Sequence, residues 1–83
     1  MSDNSVETKP VSRVSVIDEF ELGDLLPGGV AFEIQVIERA NPRTISEGEV
    51  SNIYTAITQS VRMAKVAMPK KFTYSSVREH YGL

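Results

Sequence analysis

The sequence predicts an α+β domain: an antiparallel β-hairpin packed on one long α-helix, with a short C-terminal strand or helical turn. Three observations predict it. Apolar and polar residues alternate from residue 13 to 22 and again from 30 to 36, Pro27-Gly28-Gly29 lies between the two runs, and apolar residues recur at helical spacing from Val50 to Met68.

In the first run Val14, Val16, Phe20 and Leu22 share one parity, broken by Asp18, while Arg13, Ser15, Glu19 and Glu21 share the other, broken by Ile17. Period-two alternation with β-branched residues reads as a strand with one solvated face. The second run is cleaner: Val30, Phe32, Ile34 and Val36 point one way, Glu33 and Gln35 the other. Between them, Pro27 presets φ for a turn and Gly28 offers the positive φ of a type II turn, which makes a hairpin. A bulge near Asp18 would account for the broken parity.

Asn41-Pro42 then marks a loop, because a residue before proline is biased away from helix. The next helix start is the best specified. With Ser46 as N-cap, Glu49 completes a capping box, and Ile45 with Val50 forms a hydrophobic staple. Thr44 with Glu47 offers an overlapping box. Pro69 is expected to end the helix, giving a span of about 47–67. Val50, Tyr54, Ile57, Val61, Ala64 and Met68 follow a heptad-like seam, and Ile53, Ala56, Met63 and Val66 widen it. In the tail, Phe72 and Tyr74 alternate with Lys71 and Thr73 as in a short strand. Ser76-Glu79 and Gly82 suit a helical turn over 76–81.

The chain has 83 residues, enough for one small domain, with residues 1–11 read as a flexible arm and 12–83 as the domain. It contains no cysteine, which excludes disulfides and thiolate metal sites. No apolar run is long enough to cross a membrane, and the N-terminus lacks a basic-then-apolar leader pattern, so a cytoplasmic protein is expected. Net charge is −2, but it is divided. Six acidic residues and no basic one lie between Val14 and Glu38, whereas Arg62, Lys65, Lys70, Lys71 and Arg78 fall in a stretch without acids.

These features point away from catalysis. His80 is the only histidine, and a lone histidine in a terminal segment is expected at the surface. A Ser75- or Ser76-His80-carboxylate arrangement would need oxyanion donors and a strained turn that no motif supplies. No set of ligands converges on a metal, and Pro-Gly-Gly is no phosphate loop, so no cofactor is expected. The favoured function is a non-catalytic protein-binding or assembly module, a homodimer through the helix seam at Tyr54, Ile57, Val61 and Ala64. Leu25 and Leu26 would be a further docking point, with the carboxylates around them steering a protein partner. The alternative is a nucleic-acid-binding accessory protein in which Arg62, Lys65, Lys70, Lys71 and Arg78 meet phosphates and Phe72 and Tyr74 stack on bases. A sequence pI of about 5.3 counts against it. Small, cysteine-free, catalytically empty chains of this kind are frequent among phage and viral accessory or structural proteins, which makes such a protein the compositional expectation.

Overall fold

A computed structural model describes residues 14–42 and 45–83, so the expected arm, Arg13 and the Thr44 cap lie outside the described residues. The architecture is helical throughout. The elements are α1 (Val16–Glu19), α2 (Gly28–Ala40), α3 (Glu47–Ala64) and α4 (Tyr74–His80), and no strand occurs among the described residues. The expected hairpin therefore gives way to α1 and α2 with turns between them, and the expected C-terminal strand to a turn that leads into α4. α3 is the central element, packed against α2 and α4. The core joins Val16, Ile17, Phe20, Leu22 and Leu26 to Ile34 of α2, to Ile45, Val50, Ile53, Ile57 and Val61, and to Phe72, Val77 and Tyr81.

The error over residues 14–22 lies in the two residues that broke the alternation. Ile17 is buried and Asp18 is exposed, as a helical turn carrying Val16, Ile17 and Phe20 inward requires. Ser15 caps that turn, its Oγ accepting from the Asp18 N–H at 3.2 Å. The spacing Ser15-x-x-Asp18 was a readable cap signal. Over residues 28–40 the ambiguity is deeper. Periods of 2 and 3.6 both keep Val30 and Ile34 on one face. They disagree about the remainder: a strand would bury Phe32 and Val36, whereas a helix buries Ala31 and Ile37 instead. Val30, Ala31, Ile34 and Ile37 do pack on the core, and Phe32 and Val36 face outward. Gly28 opens the helix and forms no type II turn; Gly82 alone among described glycines has positive φ.

The start of α3 is as expected. Ser46 Oγ accepts from the Glu49 N–H at 3.2 Å, and the Ser46 N–H donates to Glu49 Oε1 at 2.9 Å. Ile45 and Val50, the staple residues, are both buried. The helix stops at Ala64, earlier than Pro69 implied, because Lys65 turns left-handed at φ 60°. α4 starts two residues earlier than expected, at Tyr74. Its N-cap is Thr73, boxed with Ser76, and the Ser76-Glu79 box does not form.

Three helices end in the same way. After α4, Gly82 sits at φ 79°, with the Leu83 N–H bonded to the Arg78 carbonyl and the Gly82 N–H to that of Glu79. After α1, Glu21 takes φ 54°, and Leu22 and Glu21 bond back to Ile17 and Asp18. After α3, Lys65 does the same, with Val66 and Lys65 bonded to Val61 and Arg62. These are Schellman closures, and two of them place a residue with a Cβ where glycine is preferred. Glu21→Gly and Lys65→Gly should each raise stability by up to about 1 kcal/mol. The readout is the urea midpoint at unchanged slope. A midpoint that falls in both variants would refute the assignment of these residues to the left-handed position.

Candidate functional site

The residues expected to bind partners are dispersed by the fold. Leu26 is buried, and half-buried Leu25 packs against the same core, so α1 and its closure explain both leucines without a partner. Ile57 and Val61 are fully enclosed, Tyr54 is half-buried and Ala64 is exposed. Tyr54 stacks on Phe72 at 5.3 Å and meets Tyr74 edge-on at 5.4 Å. The seam is thus occupied from within: a single broad face of α3 built on Val50, Ile53, Ile57 and Val61 meets the other helices. The four seam residues do not form one exposed surface.

The basic residues fare differently. Arg62, Lys65, Lys70 and Lys71 are exposed and form no ion pair among the described residues. Arg78 is engaged: its Nε lies 2.8 Å from Glu47 Oε2 and its second contact, Nη2 to Oε1, measures 3.2 Å. The aromatics meant for stacking are spent. Phe72 is buried against Phe20 and Tyr54, and the Tyr74 hydroxyl donates to Glu47 at 2.9 Å.

A polar cluster holding α4 was not anticipated from sequence. His80 is buried, contrary to the surface expectation, with a side chain 1% exposed. Its Nδ1 lies 2.6 Å from Glu19 Oε1 of α1. A carboxylate only accepts, so Nδ1–H donates and Nε2 is the ring atom left for any second contact. That atom is buried without a hydrogen-bond partner, so no serine hydroxyl reaches it, and the imagined Ser-His pair is not assembled. Next to it, the Tyr81 hydroxyl donates to Glu38 Oε2 of α2 at 2.5 Å, and the same oxygen accepts the Val16 N–H at 3.0 Å. Burial, then the Glu38 contact, pushes the Tyr81 hydroxyl far above the ordinary tyrosine range. Glu47 is held below the usual carboxylate range, by Arg78 first and Tyr74 second. Carboxylates of α1, α2 and α3 each thus bind a residue of α4 or its end. Sequence reasoning missed this because Glu19 and His80 are 61 residues apart, and Glu38 and Tyr81 43. The described residues contain no group of three or more metal-ligating side chains. No helix among them is long and apolar enough to cross a membrane.

One exposed apolar surface lies on α2, apart from Met63 and Val66 at and beyond the end of α3. Gly29, Phe32, Val36 and Ala40 are exposed, and their spacing of 3, 4 and 4 aligns them on one helix face. Phe32 is 64% exposed and Val36 44%. Glu33 and Arg39 lie three residues before and after Val36, which places them about 60° to either side of it at about 100° per residue. Both are exposed, and neither makes an ion pair among the described residues. Phe32 and Val36 were read from the sequence as inward-facing, and only a helical reading of 28–40 would have placed them outside. No protein family, curated protein or solved structure matches this chain.

Proposed function

We propose that the chain is a non-catalytic binding and assembly module that acts in the cytoplasm and associates with itself. The observation that supports this reading is the face of α2, where Phe32 and Val36 stand out of a domain that has few apolar residues to spare. A domain this small buries a limited core, and an outward phenylalanine on a helix is better used in a contact than in water. The contact moves accordingly from the α3 seam, most of which is enclosed, to α2. Sedimentation of the full chain from about 10 μM to about 1 mM tests the reading: mass should rise with concentration, since one short helix face gives a small interface. A chain that remains monomeric throughout would end it.

A second reading rests on Arg62, Lys65, Lys70 and Lys71, exposed and without carboxylate partners among the described residues, beside Met63 at 81% exposure. Such a segment suits a phosphate backbone. It lacks free aromatics for base stacking, since Phe72 is buried and Tyr54 and Tyr74 are packed or bonded. Binding to single- and double-stranded nucleic acid at two salt concentrations separates the readings. Affinity that falls steeply with salt would favour this second one.

A further inference from the structure

The α2 face carries two charges of opposite sign, unpaired among the described residues, and these specify how a second copy would sit. We propose that two chains pair through α2 in parallel orientation, about a two-fold axis along the helices, with Phe32 and Val36 at the centre. This rests on the self-association proposed above and adds its geometry. Symmetry sets which charges meet. When two identical helices pair antiparallel, the same border of each meets, so Glu33 would lie on the side of the partner's Glu33. When they pair parallel, opposite borders meet, so each Glu33 lies on the side of the partner's Arg39. Six residues separate the two, about 9 Å along the axis. Both side chains lean toward the helix N-terminus, and the greater length of arginine shortens that gap. The pairing occurs twice by symmetry, and both charges are free to make it within the described residues.

The centre of the face is suited to close approach. A Cβ built on Gly29 would meet nothing within 4 Å, so this position is open on its own chain. Ala40 closes the other end of the stripe. Small residues at both ends let the backbones near one another while Phe32 and Val36 fill the middle. α2 has 13 residues, so it is about 20 Å long. One such helix pair buries less than the roughly 1,200 Å² of a stable interface, and the dimer should dissociate at tens to hundreds of micromolar.

The chain has no cysteine, so single cysteines report orientation cleanly. In a parallel pair, Gly29→Cys faces its own copy, and so does Ala40→Cys. Facing positions of helices packed about 8–10 Å apart fall within disulfide reach. Each variant of the full chain, oxidised mildly at a concentration where wild type dimerises, should cross-link to itself, and a mixture of the two should yield few mixed dimers. Phe32→Asp added to either should abolish cross-linking while circular dichroism stays helical. Glu33→Arg and Arg39→Glu should each weaken association roughly tenfold, and the two together in one chain should restore it. Preferential mixed Gly29→Cys–Ala40→Cys dimers would mean antiparallel pairing and overturn the proposal. Association that ignores Phe32→Asp would overturn it as well, placing the contact elsewhere while leaving self-association intact. A monomeric wild type would remove both.

Discussion

Ile57→Asp is expected to unfold the chain. Ile57 is fully buried in the middle of α3 and belongs to the core that joins all four helices. Aspartate there removes the apolar side chain and leaves a carboxylate with no partner, a change that costs more than about 4 kcal/mol. A domain of this size holds about 4–12 kcal/mol in total, at ~0.05–0.15 kcal/mol per residue. Loss of the helical circular dichroism signal at 25 °C is the readout. Ile57→Ala should lower stability by about 2–5 kcal/mol and Ile57→Val by about 0.5–1.5 kcal/mol, a graded series expected of a packed site. An Ile57→Asp chain that stays folded and merely changes mass would return Ile57 to an intersubunit seam.

The second large effect concerns the attachment of α4. Glu38→Ala removes the acceptor shared by the Tyr81 hydroxyl and the Val16 N–H, so two donors lose their partner at once. At about 1–3 kcal/mol for each buried unsatisfied group, the expected loss is about 2–6 kcal/mol. Tyr81→Phe should cost less, about 1–3 kcal/mol, because Glu38 retains the Val16 N–H. Glu38→Gln keeps an acceptor and should be the mildest of the three. The two positions should be strongly non-additive in a double-mutant cycle, and full additivity would show that they do not share the bond.

The pH dependence of stability follows with the signs set by the shifts. Tyr81 and Tyr74 have raised values in the folded chain, Tyr74 chiefly through its bond to Glu47. Their contribution is complete below the ordinary tyrosine value of about 10 and declines as pH rises above it. Glu47 is depressed, so its contribution is complete above the ordinary glutamate value of about 4.3 and declines as pH falls below it. Glu47 is exposed and its share is small, so the alkaline limb should be the steeper one, and Tyr81→Phe should flatten it.

Much of the local structure was legible. Ser46 and Glu49, three residues apart, have one sensible joint use, which is to satisfy the free N–H groups of a helix start, and α3 begins there. Gly82 was equally legible as a helix end, since a left-handed residue closes α4. Ser15-x-x-Asp18 carried the same kind of message but lay inside an alternating run. The candidate site was less legible. No local pattern relates Glu19 to His80 or Glu38 to Tyr81, because each bond depends on how whole helices are placed.

The sequence by itself determined where helix α3 starts, that Val30 and Ile34 face one way, and that no cysteine chemistry operates. The tertiary structure decided which of two periods holds from 14 to 40. Val30 and Ile34 are four residues apart, and both a strand and a helix bring such residues to one side. The choice therefore falls to Ala31 and Ile37 against Phe32 and Val36, and α3 makes it. An 18-residue helix with Val50, Ile53, Ile57 and Val61 along one side needs an apolar partner, and Val30, Ala31, Ile34 and Ile37 of α2 supply part of it. Phe32 and Val36 are left outside as the consequence, and with them the surface on which the proposed assembly depends.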